Sequence, residues 1–330
     1  MHAIAYQSFG AATDVLDHIT QEPPAAGPGD VCVALAFSGV NPSDVKARAG
    51  GRPGVTKPPF DTIIPHNDGA GTIVAVGDGV DPARLGQRVW IWNGQWQRAY
   101  GTAATHITLP AEQAVPLPAG VGLETGAVLG IPGLTAAHIV FGGGEITGQT
   151  LLIHGGAGTV GHLAVQLAKW GGARVIATAR GDGIARCTAA GADVVLDYTA
   201  PDLAQQILDA NAGRLIPRIV DVEFGHNIAT DTAVIAPNGT IAAYGSALEM
   251  TPTLPFYPLL FKAVTVDIVL IYLLPKAQRD AAIAQLHGAL EAGALECPIH
   301  RIYPLSDTAL AHQAVEAGGR TGAILIDVQA

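Results

Sequence analysis

Residues 151–161, LLIHGGAGTVG, place a short apolar run directly before a glycine-rich turn. Gly156, Gly158 and Gly161 have the G-x-G-x-x-G spacing that allows a tight turn, a close approach of the backbone to a pyrophosphate, and close packing of helix on strand. Apolar residues at helical spacing follow, and residues 174–179 form a second apolar run, which closes a strand–helix–strand unit. We therefore predict that phosphates of a dinucleotide bind at the start of this helix. The residues expected to bind the cofactor here are Gly156, Gly158, Thr159, Val160 and Gly161.

The bulk composition indicates a globular chain with about two domains. The chain has 330 residues, of which 49% are hydrophobic and 14% charged, so it can fill two cores. Its formal net charge of −10 argues against nucleic acid as a partner, because nucleic-acid phosphates are bound mainly by Lys and Arg. Residues 257–274 are apolar but include Lys262 and Asp267, so we interpret them as a buried strand and expect no membrane partner.

The three cysteines lie far apart and suggest no shared site. Cys32, Cys187 and Cys297 show no C-x-x-C spacing, which argues against a disulfide framework and against a thiolate zinc site. The first residues also lack a basic segment followed by an apolar one, as a secretory signal would have. We therefore expect a reducing, cytoplasmic location.

The pattern of predicted secondary structure changes near residue 128. Before it, short β runs at 31–38, 72–76 and 88–92 alternate with Gly and Pro clusters, which predicts a β-rich domain. After it, strands and helices alternate, which predicts a doubly wound parallel sheet and therefore an α/β fold. The further strands expected are 193–198, 218–224, 239–246 and 263–272, and the helices are 201–211, 226–236 and 276–292. A last strand at 321–328 is expected to return to the first domain.

Several short segments together resemble a known family over essentially the whole chain. They are GVNPSD (39–44), DGAG (68–71), VG (76–77), GQRV (86–89), GIPGLTA (130–136), the glycine turn, GAD (191–193) and YGS (244–246). The chain resembles the zinc-free quinone oxidoreductases of zeta-crystallin type, in the medium-chain dehydrogenase/reductase superfamily. The resemblance implies a catalytic chaperonin-ten-like β domain (1–127 and 275–330), a Rossmann NADP-binding domain (128–274), and an active site in the cleft between them.

The resemblance also bears on zinc. Zinc-dependent relatives hold a catalytic zinc ion with Cys, His and Cys, and the matching positions here are Asn41, Asn67 and Ile131. An amide is a poor zinc ligand and an isoleucine is none. His66 lies one position off the pattern, and we interpret it as a polar loop residue. We therefore expect no metal.

The end of the second strand of the dinucleotide unit predicts which cofactor binds. An NAD site has an acidic residue about 20 positions after the first glycine, but here the strand ends in Thr178, Ala179 and Arg180. Thr178 and Arg180 suit a 2′-phosphate, which needs cationic or hydroxyl donors, so we predict NADPH. Asp182 keeps NADH open as an alternative. By resemblance, Tyr198 contacts the adenosine end.

Two further residues lie where a later strand ends. Gly245 and Ser246 are expected at the carboxyl edge of the sheet, where ligands bind in open sheets. We assign them to cofactor binding, with packing at the strand end as the alternative.

Without a metal, the acceptor must already be electron-poor. A quinone or an activated C=C bond meets this condition, whereas a simple ketone needs polarisation. Asn41 is expected to hydrogen-bond the substrate or the nicotinamide ribose, with a structural turn amide as the alternative, and Asp44 to orient a neighbour. Thr135 is expected to contact the nicotinamide face, with core packing as the alternative. Lys46 stands where relatives often have a tyrosine, and it could donate a proton only if burial made its ammonium group more acidic.

The tryptophans are concentrated near residue 92. Trp92 and Trp96 suggest a stacking site for a planar substrate, with strand packing and a loop cap as the alternative.

Four functions remain open at this level, and one of them is a zinc alcohol dehydrogenase, against which Asn41, Asn67 and Ile131 argue. The leading hypothesis is NADPH-dependent reduction of quinones, and the runner-up is NADPH-dependent reduction of enone or enoyl C=C bonds. A non-catalytic NADPH-binding protein is the alternative of another class. The apolar strand from Val264 to Tyr272 should lie at a sheet edge, so we expect a homodimer through it.

Overall fold

The chain folds into two compact units. We describe a computed structural model for residues 1–51 and 54–330. The first unit comprises Met1–Ile131 and Cys297–Ala330, and the second comprises Pro132–Glu296. Within the described residues, no helix is both long enough and apolar enough to cross a membrane.

The strands and helices are numbered here in chain order. The strands are β1 (His2–Ala5), β2 (Asp17–Thr20), β3 (Asp30–Val40), β4 (Asp68–Val76), β5 (Arg88–Ile91), β6 (His106–Pro110), β7 (Ala114–Pro116), β8 (Thr150–Ile153), β9 (Arg174–Ala179), β10 (Val194–Asp197), β11 (Ile216–Asp221), β12 (Ile235–Ala243), β13 (Thr265–Ile268), β14 (Ile299–Pro304) and β15 (Ala323–Asp327). The α-helices are α1 (Ala12–Val15), α2 (Pro42–Arg48), α3 (Leu123–Gly126), α4 (Leu134–Phe141), α5 (Thr159–Trp170), α6 (Gly183–Ala189), α7 (Leu203–Ala210), α8 (Phe224–Val234), α9 (Phe256–Phe261), α10 (Lys276–Glu291) and α11 (Thr308–Ala317).

The first unit is built on a mixed sheet. Its order is β14-β15-β3-β4-β5-β7, with β6 also paired to β3. Register shifts between Cys32 and Val33 and between Leu35 and Phe37 interrupt the pairing of β3 with β4; such bulges bend a strand and increase its twist. The last strand, β15, pairs with β3 through Ile326 and Ser38, as expected for residues 321–328.

The second unit contains the predicted parallel sheet. Its order is β10-β9-β8-β11-β12-β13, and every neighbouring pair is parallel. Ile176, Leu152, Ile219 and Ile241 lie opposite one another on successive strands and are fully buried. This row of branched side chains forms part of the core, and the doubly wound α/β prediction is confirmed.

Some predicted boundaries move for local reasons. The strand expected at 218–224 ends at Asp221, because Phe224 donates its N–H to Gly245 and starts α8. The strand expected at 263–272 is only Thr265–Ile268, because a 3₁₀ turn follows at Ile271–Leu273. An apolar run carries no periodicity that would show where the strand within it ends.

Helix α10 belongs to the second unit, although the sequence analysis assigned residues 275–330 to the first domain. The helix buries Ala282, Leu286 and Ala289, and its helical neighbours are α4 and α5. Its buried face therefore completes the core of the second unit, which extends to Glu296.

Candidate functional site

The glycine turn of the second unit connects β8 to α5. Gly155 has a φ of 65°, which favours glycine. A Cβ atom on Gly156 would lie 3.0 Å from the Ala177 Cβ atom and 3.0 Å from the Cys187 Sγ atom, and one on Gly161 would overlap the Gly155 carbonyl oxygen. Gly156 and Gly161 therefore allow the helix to pack closely on the sheet.

The start of α5 suits an anionic ligand. Gly158 is its N-cap, and no side-chain cap bond is made to it within the described chain. The first backbone bond of the helix runs from the His162 N–H to the Gly158 carbonyl, at 2.8 Å. Thr159 and Val160 are partly exposed in the first turn, whose N–H groups have no intrahelical acceptor. The nearest atom to a Cβ on Gly158 would be the Gly155 oxygen at 3.4 Å, so the backbone is open to a phosphate here.

Thr178 supports this turn from beneath, which differs from its predicted role as a phosphate donor. It is buried, its backbone oxygen accepts from the Gly156 N–H at 3.0 Å, and its hydroxyl accepts from the Gly155 N–H at 3.2 Å. The same hydroxyl lies 3.1 Å from the His154 Nδ1 atom. Thr178 is therefore enclosed by these partners, and it hydrogen-bonds the backbone of the turn.

A buried histidine–carboxyl pair lies next to Thr178, and the sequence analysis did not single it out. The His154 Nε2 atom lies 2.9 Å from the Asp231 Oδ1 atom. Burial alone would lower the pKa of His154, but the Asp231 and Asp221 carboxyl groups outweigh burial and raise it. Burial, followed by the charge of Asp231, raises the pKa of Asp221 to about 6. In the sequence, the only sign of this pair was a histidine, His154, between an apolar strand and the glycines.

Arg180 and Tyr198 come together at the carboxyl ends of β9 and β10. Both side chains are exposed, and the guanidinium carbon of Arg180 lies 5.8 Å from the centre of the Tyr198 ring. Ala179 and Asp197 pair directly before them in the parallel sheet. A cationic group and an aromatic face are thus available at one place on the sheet edge.

Gly245 and Ser246 pack the end of β12, as the alternative in the sequence analysis allowed. The Ser246 hydroxyl accepts from the Gly225 N–H at 2.9 Å and donates to the Glu249 carbonyl. A Cβ atom on Gly245 would overlap the Val222 carbonyl oxygen. Both residues therefore shape the loop after the strand.

Four buried polar residues meet in the first unit, where α2 begins and β4 begins. The Asn41 Nδ2 atom donates to the Asp68 Oδ2 atom at 2.8 Å, and the Asn41 N–H donates to the Asp44 Oδ2 atom at 2.9 Å. The Asn67 Nδ2 atom donates to the Asp44 Oδ1 atom at 3.0 Å, and the Ile131 N–H donates to the Asp68 Oδ1 atom at 2.8 Å. We call Asn41, Asp44, Asn67 and Asp68 the amide–carboxyl network.

The amide–carboxyl network does not fit a zinc ion. Both amide nitrogens point toward the carboxyl groups, and each carboxyl oxygen already accepts an N–H group. Zinc needs thiolate, imidazole or free carboxylate ligands. Within residues 1–51 and 54–330, no group of three His, Cys, Asp or Glu side chains is placed to hold a metal. Burial and then the charge of Asp44 raise the pKa of Asp68 well above its usual range, against the donors Ile131 and Asn41.

The remaining predicted catalytic residues have different environments. Lys46 is exposed, so it lacks the burial that proton donation required. Asp44 is buried and holds the backbone of Asn41, which agrees with an orienting role. Thr135 is buried in α4 of the second unit.

An aromatic cavity of about 360 Å³ lies within the first unit. Trp96 lines it, whereas Trp92 is buried and does not line it. Ala47 in the last turn of α2, Gly50 just after the helix, and Gln95 and Gln97 beside Trp96 contribute to the lining. Its apolar side chains include Tyr6, Phe9, Val55, Phe60, Ile63 and Trp96.

His66 lies in a loop, as interpreted, but its side chain is buried in a pair with His312. Its Nε2 atom lies 2.8 Å from the His312 Nε2 atom, and its Nδ1 atom lies 2.9 Å from the Ser38 hydroxyl. His66 has a φ of 78°, which is unusual for a residue other than glycine. Burial lowers the pKa of His66 well below its usual value, with a further contribution from His312. Burial and the charge of Arg48 lower the pKa of His312 to about 3.

Two family patterns match this chain. The pattern described as "Zinc-binding dehydrogenase" matches residues 159–287, and the one described as "Alcohol dehydrogenase GroES-like domain" matches residues 27–119. The first begins at Thr159, directly after the glycine turn, and covers α5, and the second covers the amide–carboxyl network.

Similar proteins cover nearly the whole chain. The chloroplast envelope quinone oxidoreductase homolog of Arabidopsis thaliana is 29% identical over 99% of this chain and 98% of its own. A mycobacterial protein solved in complex with NADPH is 28% identical, with a TM-score of 0.86 over 99% of both chains. A quinone oxidoreductase from Pseudomonas syringae is 28% identical, with a TM-score of 0.85 over 99% of both chains.

The His66–His312 pair predicts a pH-dependent loss of stability. Both histidines are neutral when folded, so the unfolded chain binds more protons as the pH falls below about 6.5. The stability that comes from keeping these histidines neutral is present above that pH. It is lost as the pH falls toward the pKa of His312 in the folded protein, which is about 3. Between pH 7.5 and 5.5, the free energy of unfolding of His312→Gln should therefore fall by about 1.4 kcal/mol less than that of the wild type.

Urea denaturation at both pH values measures this difference. His226→Gln, at an exposed histidine of α8, is the matched control and should behave like the wild type. Equal losses of stability in His312→Gln and in the wild type would contradict the prediction.

Proposed function

Because the chain belongs to the medium-chain dehydrogenase/reductase superfamily, in its zinc-free quinone oxidoreductase group, we propose that it is an NADPH-dependent reductase of quinones. The observation that carries this proposal is the amide–carboxyl network, because its Asn41 and Asn67 stand where the family resemblance places zinc ligands in zinc-dependent relatives. Its side chains can orient an acceptor but cannot polarise a simple carbonyl as a metal does. An acceptor that is already electron-poor can be reduced without such polarisation. The proposal includes a cytoplasmic location.

The second unit supplies the cofactor half of the proposal. NADPH, when bound, supplies a hydride. The N–H groups at the start of α5 would bind its pyrophosphate, and the Arg180 guanidinium beside Tyr198 would bind its 2′-phosphate. The solved mycobacterial relative in complex with NADPH supports this choice of cofactor.

The first unit supplies the acceptor half. Asp68 holds the amide of Asn41 in one orientation, so Asn41 can direct the oxygen of an acceptor. The aromatic cavity has a volume within the range of small-molecule sites and offers Trp96 as a stacking surface. A planar, uncharged quinone ring suits this lining. Because Lys46 is exposed, we assign the proton that completes the reduction to water.

The proposed reaction predicts NADPH oxidation with a quinone. Purified protein mixed with NADPH and menadione should lose NADPH absorbance, and cyclohexenone should be reduced more slowly. Asn41→Ala should lower kcat/KM for menadione about tenfold, as expected when one hydrogen bond to the acceptor is lost. Gln205→Ala, at an exposed helix position of the second unit, is the control and should retain full activity.

Other outcomes of that assay would change the assignment. Turnover of cyclohexenone alone would favour the C=C reductase. If NADPH binds but neither acceptor is reduced, the protein is a non-catalytic NADPH-binding protein and the proposal fails.

The Arg180 site predicts a preference for NADPH over NADH. Arg180→Ala should raise the Kd for NADPH by about 10- to 100-fold, because a charge-assisted hydrogen bond to the 2′-phosphate is lost, and should leave the Kd for NADH nearly unchanged. Isothermal titration with each nucleotide measures both constants. Arg174→Ala changes the same residue type at the opposite end of β9 and should alter neither. Equal weakening of both nucleotides by Arg180→Ala would show that Arg180 does not read the 2′-phosphate.

The edge of the parallel sheet supports a homodimer, which is part of the same proposal. Strand β13 is the last strand of the sheet, and Ile268 on it is 77% exposed. Phe256, Tyr257 and Phe261 of α9 are also exposed. An apolar edge of this kind can pair with the same edge of a second copy.

Light scattering should therefore give twice the mass of one chain. Ile268→Asp should give the mass of one chain, because it places a charge in the paired edge. Ile302→Asp, on the exposed edge strand β14 of the first unit, should remain dimeric. A monomeric wild-type protein would refute the dimer.

A further inference from the structure

Asn67 links two separate segments of the aromatic cavity. It is 2% exposed and lies immediately before β4. Its Nδ2 atom donates to the Asp44 Oδ1 atom of α2 at 3.0 Å, and its Oδ1 atom accepts from the Gln95 N–H at 3.1 Å. Its backbone oxygen accepts from the Gly94 N–H at 2.8 Å. One side chain thus holds α2 on one side and the Trp96 loop, residues 93–100, on the other.

Both segments line the cavity close to these bonds. Asp44 lies one helical turn before Ala47, which lines the cavity. Gln95 lines the cavity itself and directly precedes Trp96. A change in either bond of Asn67 therefore moves a part of the cavity lining.

The Trp96 loop contains two residues with unusual backbone angles, and the bonds of Asn67 hold it together with a backbone bond from the Ile64 N–H to the Ala99 carbonyl at 2.9 Å. Asn93 and Gln97 have φ values of 52° and 58°, a conformation that residues other than glycine rarely adopt. Bonds within the loop run from the Gln95 Nε2 atom to the Arg98 carbonyl at 2.7 Å and from the Arg98 Nη2 atom to the Asn93 carbonyl at 2.9 Å. By contrast, Tyr6 and Ile63 are held by reciprocal backbone bonds of 2.9 Å.

The chemistry of the two bonds requires an amide. The group facing Asp44 must donate, and the group facing the Gln95 N–H must accept, which asparagine does with one short side chain. An aspartate at position 67 would keep the acceptor but would place a second carboxyl group against Asp44. An alanine would remove both bonds.

We propose that Asn67 is the positioning residue that sets the acceptor-binding geometry of the aromatic cavity by fixing the Trp96 loop against α2. This proposal rests on the proposed function for the identity of the acceptor, but not for the binding event itself. Loss of Asn67 then weakens binding of a planar ring in the cavity. It leaves NADPH binding unchanged, because the glycine turn and Arg180 belong to the second unit.

The test compares Asn67→Ala and Asn67→Asp with the wild type. Naphthol, a planar ring that accepts no hydride, is titrated against tryptophan fluorescence, and Trp96→Phe identifies the part of the signal that comes from Trp96. Both Asn67 variants should raise the Kd for naphthol about tenfold. They should raise the KM for menadione by a similar factor, with kcat within twofold and the Kd for NADPH unchanged.

Asn211→Ala is the matched control. Asn211 is a buried amide of the second unit that bonds the Thr150 hydroxyl and the Arg214 carbonyl, so its loss costs similar hydrogen bonds. It should leave the Kd for naphthol unchanged. Aspartate has nearly the same shape as asparagine. If the Asn67→Ala variant does not fold, the Asn67→Asp variant provides the test.

Three results would overturn the proposal: no naphthol binding to the wild type, an unchanged Kd for naphthol in a folded Asn67 variant, or a lowered kcat with an unchanged KM. Naphthol binding that depends on Asn67 in a protein that reduces no quinone would support this proposal while the proposed function fails. If menadione is turned over but the Kd for naphthol is unchanged in the Asn67 variants, the proposed function stands and the proposal for Asn67 fails.

Discussion

The candidate acceptor site depends on the need to satisfy two buried carboxyl groups. Removing Asp44 and Asp68 from water is costly unless N–H groups replace the lost hydration. The donors available are the side-chain amides of Asn41 and Asn67 and the backbone N–H groups of Asn41 and Ile131. Three of the four bonds join segments far apart in sequence, and the fourth, from the Asn41 N–H to Asp44, lies at the start of α2. Satisfying the two carboxyl groups therefore also fixes where α2 begins and how Asn41 is oriented.

The cofactor turn is supported in a related way. Thr178 holds the backbone of the turn from inside, and His154 with Asp231 lies behind Thr178. The interior hydrogen bonds are thus made among protein groups, and the first N–H groups of α5 remain directed at a ligand. In both units, the residues expected to touch ligands are held by buried polar residues whose own role is structural.

Replacing metal ligands by amides has a chemical consequence. A zinc ion would polarise an acceptor, whereas an asparagine amide only hydrogen-bonds and orients it. The site is held rigid instead, because both amide nitrogens and all four carboxyl oxygens of the amide–carboxyl network are hydrogen-bonded within the first unit. Positioning of an already reactive acceptor is the form of catalysis that such a site can provide.

The sequence by itself determined the local structure of this protein. The glycine turn with Gly156, Gly158 and Gly161 and the alternation of strands and helices after residue 128 follow from spacing and periodicity. Only the tertiary structure decided that Thr178 and Ser246 serve the backbone, that Lys46 is exposed, that His66 is buried against His312, and that α10 joins the second unit. The reason is physical: periodicity records what each segment does with its neighbours in the chain, whereas these roles depend on partners that folding brings from distant positions.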